Sequence, residues 1–105
     1  MRHIVVLITT KDTQEAQKIS RVLIEKKLAA CVNIVKDVKS LFWWEGKVDE
    51  ADEVLLIAKS REDIFEEIKA QVKASHSYSV PEIIALPIID GNDEYLKWLE
   101  ETTTK

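Results

Sequence analysis

The feature that most constrains this chain is a pair of long strand-forming segments facing each other across a tight turn signal. Residues 28–44 read Leu-Ala-Ala-Cys-Val-Asn-Ile-Val-Lys-Asp-Val-Lys-Ser-Leu-Phe-Trp-Trp. Glu45-Gly46-Lys47 then marks a turn, and residues 48–59 return with the buried-looking run Val54-Leu55-Leu56-Ile57-Ala58. The two segments form a long hairpin. Drawn out as one strand, the first would span about 55 Å at about 3.3 Å per residue. A domain of this length has a radius of gyration of only about 13 Å. The hairpin is therefore expected to project beyond its own core and to expose a bare strand edge with the apolar group Leu41, Phe42, Trp43 and Trp44. One resolution is a closed ring in which that edge pairs with another subunit. The other is a bent or bulged strand that folds back over its own aromatics.

The rest of the chain supplies a core for this hairpin. Ile4-Val5-Val6-Leu7-Ile8 is apolar on both faces, as a central strand is. Asp12 and Glu15 read as a capping box opening a helix with the stripe Ala16, Ile19, Val22 and Leu23, closed by Lys26 and Lys27. Ser60-Arg61-Glu62-Asp63 is expected to cap a second helix with the stripe Ile64, Phe65, Ile68 and Val72. Residues 76–81 are a loop, 83–89 a last strand, and 93–99 part of a short C-terminal helix carrying Tyr95, Leu96, Trp98 and Leu99. The order β-α-β-β-α-β plus a helix gives a single α+β domain over residues 1–105. Its expected class is the split βαβ, ferredoxin-like fold with an antiparallel sheet. The first and third strands would be central, and Pro87 marks the last strand as an edge.

Charge and composition exclude several functions. With 15 basic and 19 acidic residues the net charge is −4, and no basic cluster exceeds Lys26-Lys27, so a nucleic-acid partner is not expected. The N-terminal apolar run is too short for a signal core or a membrane span, and a membrane role is not expected either. The one cysteine cannot form an internal disulfide, which points to a reducing, cytoplasmic setting. Only two glycines are present, too few for a Gly-rich phosphate loop.

The residues able to carry chemistry are few. Cys31 and His76 are the soft metal ligands, with His3 and Met1 as the others. Thiolate with imidazole suits copper or zinc, but a tight site needs three or four ligands. The plain alternatives are a buried thiol in an Ala-Ala-Cys-Val context and a histidine that caps a helix. A Cys–His nucleophile would need an orienting group and an oxyanion site that the sequence does not suggest, so the chain is not expected to be an enzyme. Trp43, Trp44 and Trp98 suit packing or an interface better than a cation cage.

Several short motifs in order then carry a resemblance. They are Leu28-Ala29-Ala30-Cys31-Val32-Asn33, the tip Trp44-Glu45-Gly46-Lys47-Val48, the segment His76-Ser77-Tyr78-Ser79-Val80-Pro81-Glu82-Ile83, then Leu86-Pro87-Ile88, Gly91 and Tyr95-Leu96-Lys97-Trp98. Over almost its whole length the chain resembles the CutA family of divalent-cation tolerance proteins. That resemblance implies a ferredoxin-like subunit in a tight homotrimer, packed like the PII signalling proteins, with hairpins pairing between subunits. It implies a divalent metal cation, with copper the leading candidate, and ligands at Cys31 and His76, with Tyr78 and Glu82 in the same loop. A PII-like module binding a small molecule or partner at subunit clefts, sensed at Trp43, Trp44 or His76, is the alternative. Ser77 and Ser79 depart from the family's commoner His-Pro-Tyr-Glu pattern, and Phe42 stands where a tyrosine is common.

Overall fold

Alternation along β1 (His3–Thr10) decides where the core lies, because Ile4, Val6, Ile8 and Thr10 are buried while their neighbours are half-exposed. A computed structural model of the chain describes residues 2–103, and Met1 lies outside them. After β1 come α1 (Thr13–Glu25), β2 (Cys31–Trp44), β3 (Lys47–Arg61), α2 (Phe65–Ser75), β4 (Ile83–Pro87) and α3 (Asp93–Thr102), with a single 3-10 turn at Glu62–Ile64 before α2. The four strands form one antiparallel sheet in the order β2-β3-β1-β4. The two apolar strands are central, and the Pro87 strand is an edge, as the sequence predicts. Ile4, Val6, Ile8, Leu56 and Ala58 pack against Ala16, Ile19 and Leu23 of α1 and Ile68 and Val72 of α2. Each large apolar side chain so enclosed contributes about 1.5–3 kcal/mol.

Local chemistry explains the helix ends. Asp12 Oδ1 accepts from the Glu15 N–H at 2.8 Å, the capping bond expected. Glu15 reaches one residue further back than a capping box requires, accepting from the Lys11 N–H at 3.1 Å. At the other end Leu28 N–H reaches the Leu23 carbonyl and Lys27 N–H the Ile24 carbonyl, a Schellman ending. Lys27 pays for it with φ of 58°, in the left-handed region where glycine is usual.

Two expectations need correction. Ser60 caps no helix: it is the buried penultimate residue of β3, and its Oγ donates to the Leu28 carbonyl at 2.6 Å. That hydroxyl serves the Leu28 turn instead, and the 3-10 turn before α2 begins with no side-chain cap. The last strand also stops at Pro87 rather than residue 89. One further bond, Ile88 N–H to the His3 carbonyl, continues the ladder, after which Ile89 turns out to solvent. A proline without an N–H is where an edge strand can most easily end.

The hairpin divides into two regions. Val54 to Arg61 of β3 pair with β1 on one side, and Leu55 to Lys59 among them pair with β2 on the other. Beyond Val54, residues 38–44 and 47–53 pair only with each other. This two-stranded arm sets the long axis of a molecule 44 × 25 × 23 Å in extent. It does not fold back over its aromatics: Leu41 is 64% exposed and Trp43 74%. The tip turns over Glu45 and Gly46, both at positive φ (50° and 79°), as a two-residue hairpin turn demands.

The sheet's second face is only partly covered. Residues paired across an antiparallel sheet share a face, so Val5, Leu7, Leu55, Ile57, Ile84 and Leu86 lie together opposite α1 and α2. α3 crosses one end of this face. There Arg61 donates to the Thr103 hydroxyl at 2.8 Å and carbonyl at 2.9 Å, and His3 meets Glu100 at 3.3 Å. No helix among the described residues is long and apolar enough to cross a membrane.

Candidate functional site

A single irregularity in β2 builds the site. Val35 pairs with Leu55, but the next registered pair is Val38 with Glu53, so β2 carries one extra residue there. Asp37 takes φ of 61° within this bulge, a conformation that Asp tolerates better than most residues. The inserted residue reverses which side chains face which way. Past the bulge Phe42 is paired with Asp49 and Trp44 with Lys47, so these aromatics join the face that carries Glu53 and Leu55. Without it, Leu41 and Trp43 would stand there instead.

Facing them is the loop after α2. Tyr78, Ser79, Val80 and Glu82 form one wall of a cleft of about 680 Å³, and Ser40, Leu41, Phe42, Trp44, Asp49 and Glu53 form the other. The Tyr78 hydroxyl bridges the walls, donating to Glu53 Oε2 at 2.8 Å. Burial first, and then this bond to a carboxylate, push the Tyr78 hydroxyl well above the ordinary tyrosine range, so it serves as a hydrogen-bond donor.

His76 stands behind Tyr78. Its side chain is fully enclosed. Nε2 lies 2.7 Å from the Thr9 carbonyl, which can only accept, and Nδ1 lies 3.0 Å from the Tyr78 backbone N–H, which can only donate. These partners fix the neutral ring with its proton on Nε2. Glu15 completes the cluster, its Oε2 accepting from the Ser77 N–H at 2.9 Å and its Oε1 standing 3.9 Å from Nδ1. Burial pushes the Glu15 carboxyl up, but hydrogen bonds from Ser77 and Lys11 outweigh it and hold the group below the usual carboxylate range.

Cys31 is elsewhere. It pairs with Lys59, which pairs with Val5, whereas His76 is bonded at Thr9. Four residues of β1, about 13 Å of strand, separate the two levels. Lys59 places its ammonium 3.8 Å from Cys31 Sγ and also grips Asn33 Oδ1. Tyr95 of α3 also lies near Cys31; burial, and then Cys31 itself, raise its hydroxyl. Of the residues singled out in the sequence, the structure thus gathers Trp44, Tyr78 and Glu82 at one cleft with His76 behind it. It leaves Cys31 apart, and Trp43 outside the cleft lining. Trp98 packs on Tyr95 with ring centres 5.4 Å apart, far from the arm aromatics in sequence and in element. Glu53 and Asp49 are the members that sequence reasoning missed; only the register past the bulge reveals them.

This frame and these residues match a known family model, the CutA1 divalent ion tolerance protein, over residues 4–102. The chain belongs to that CutA1 family. Its relatives include the divalent-cation tolerance protein CutA of Thermus thermophilus, 50% identical over 94% of this chain and 96% of that protein. The solved CutA1 structure from the same organism superposes with a TM-score of 0.96, covering 97% of this chain and 99% of that one at 49% identity. The rice chloroplastic protein CutA 1 is 48% identical over 95% of this chain, which spans 56% of that longer protein.

The CutA1 name implies a divalent ion, and the donors of one chain do not fit one. Among the described residues no three His, Cys, Asp or Glu side chains converge as a ligand set. Both His76 nitrogens are committed to backbone groups. A cation, Lys59, already stands beside the Cys31 sulfur, where a metal would have to displace it.

Proposed function

We propose that this protein serves divalent-cation tolerance as a homotrimer of ferredoxin-like subunits packed as PII proteins are, without catalysing a reaction, in the reducing cytoplasm. The carrying observation is the apolar surface that one chain leaves exposed: Ile84 and Leu86 on the sheet face beside half-buried Leu7 and Ile57, and Leu41, Trp43 and Trp44 on the arm. Monomers rarely carry an apolar patch of such extent, and an open strand edge beside it favours pairing between copies. Family membership and the relatives' names support the divalent ion, with copper the first ion to test. The donors still open to it are the half-buried Cys31 thiol and the exposed Glu82 carboxylate, which a second subunit would have to complete.

The test combines light scattering with Cu²⁺ and Zn²⁺ calorimetry on the wild type, Cys31→Ser and Glu82→Gln. A mass of three chains, with tight binding near one ion per subunit that either substitution abolishes, sustains the proposal. A monomer, or weak binding indifferent to both changes, defeats it. A second reading has its own observation. The 680 Å³ cleft combines aromatic Phe42, Trp44 and Tyr78 with carboxylates Asp49, Glu53 and Glu82, the mixture by which a PII-like module would hold a small molecule or partner segment. Tryptophan fluorescence that responds to such a ligand with no metal present would favour it.

A further inference from the structure

We infer that His76 is a positioning residue for the cleft, locked as the neutral Nε2–H ring, and not a metal ligand. Two contacts and the burial of the ring carry this, and all lie inside one chain. The Thr9 carbonyl takes the Nε2 proton at 2.7 Å, the Tyr78 N–H occupies Nδ1 at 3.0 Å, and the side chain has no exposed surface. A metal needs an unprotonated ring nitrogen with a free lone pair. Nε2 carries the proton, and the Nδ1 lone pair accepts from the part-buried Tyr78 N–H. No partner subunit supplies either contact, because Thr9 and Tyr78 both belong to the same chain as His76.

The geometry gives the ring a different task. Tyr78 follows two residues later, and its N–H is held by His76 while its ring lies 4.7 Å from the imidazole centre, tilted by 46°. From that anchored backbone the Tyr78 hydroxyl reaches Glu53 across the cleft. Glu15 secures the intervening residue through the Ser77 N–H. His76 thus ties the end of β1, through the loop, to the wall that faces Phe42 and Trp44. The inference stands apart from the identity of any cleft ligand, and metal binding through Cys31 and Glu82 is compatible with it.

The experiment is long-range proton–nitrogen NMR of the His76 ring in the wild-type protein, before and after one equivalent of Zn²⁺ per subunit. The expected spectrum is one neutral Nε2–H ring whose nitrogen shifts Zn²⁺ leaves in place. A ring that loses its Nε2 proton, or whose Nδ1 shift moves to the metal-bound range, overturns the inference. Three substitutions then separate positioning from space filling, read by hydrogen exchange at the Tyr78 amide. His76→Asn keeps an acceptor near the Nδ1 position and should retain protection. His76→Ala and His76→Leu remove the acceptor and should speed exchange about tenfold, the rate counterpart of one lost hydrogen bond. Full protection in His76→Leu would show that the ring merely fills space, and would also overturn the inference. Should the variants fail to fold, the wild-type spectrum alone decides.

Discussion

The base of the sheet and the arm that leaves it are made from the same two strands, yet they are held by different means. In the base β3 is sandwiched between β1 and β2, and one of its faces is sealed by α1 and α2, so Val54, Leu56 and Ala58 are buried. In the arm β3 has one neighbour, and from residue 41 to residue 50 every side chain is exposed. An isolated two-stranded ribbon is marginal in water. The lesson is that hydrogen bonding between strands does not by itself make a stable region. What separates base from arm is a covered face, which the fold of one chain gives to the base and leaves off residues 41–50.

The largest effect that sharpens this contrast lies in the base. Leu56→Ala, at a fully buried position, should cost about 2–5 kcal/mol by the usual penalty for a cavity in a close-packed core. Denaturant unfolding would read that loss, and the same loss should appear at every protein concentration. Trp44→Ser in the arm should act the other way. It should leave the unfolding of a dissociated chain within about 0.5 kcal/mol of wild type, as an exposed position does. Sedimentation velocity should meanwhile show the assembly dissociating at concentrations where the wild type stays intact. A Trp44→Ser protein as destabilised as Leu56→Ala when monomeric would mean that the arm packs on its own chain after all.

A smaller effect comes from acid. Glu15 is anchored in the base by the Lys11 and Ser77 N–H groups, and its folded pKa lies below its ordinary value of 4.5. The unfolded chain therefore takes up this proton first. The stability Glu15 contributes is present in full above about pH 4.5 and is lost as the pH falls toward the lower folded value. Glu15→Gln should flatten that part of the stability-versus-pH curve and leave neutral-pH exchange in the arm unchanged. A curve as steep in Glu15→Gln as in the wild type would assign the acid response to other carboxylates.

Much of this was legible in the sequence, and the reasons differ by region. The unbroken run of Ile4 to Ile8 announced a central strand, Pro87 an edge, and the pair of long segments around Gly46 an arm too long for its core. Each is a local pattern with one physical reading. The bulge was not legible, because Lys36-Asp37 carries no glycine and an extra residue leaves the polarity of β2 unchanged in order, only reversed in direction. That reversal decides that Trp44 and not Trp43 enters the cleft, and it brings in Glu53 and Asp49. His76 was visible as a loop histidine, but its role was not, since a ligand and a backbone-anchored ring look alike in one dimension. Ser60 read as a cap for the same reason: a hydroxyl before an acidic stretch suits a helix start until the Leu28 carbonyl claims it.

The smallest effect tests the contrast most closely, because it compares one kind of strain in both regions. Lys27 ends α1 at φ of 58°, and Glu45 turns the arm at 50°. Both are side chains in left-handed backbone, a conformation that costs roughly 1–2 kcal/mol per residue. Replacement by glycine removes the strain but gives the unfolded chain more freedom, leaving a net gain of about 0.5–1 kcal/mol where the backbone is fixed in the folded state. Lys27 is fixed by the Schellman bonds and by Leu28 buried behind it. Lys27→Gly should therefore stabilise the protein equally as monomer and as assembly. If a partner covers the arm in the proposed assembly, Glu45→Gly should stabilise only that assembly and should leave the dilute monomer's unfolding unchanged. If the two gains are equal at every concentration, the arm unfolds with the base as one cooperative unit. Internal pairing along residues 38–53 would then suffice to hold it, and the covering subunit would not be needed.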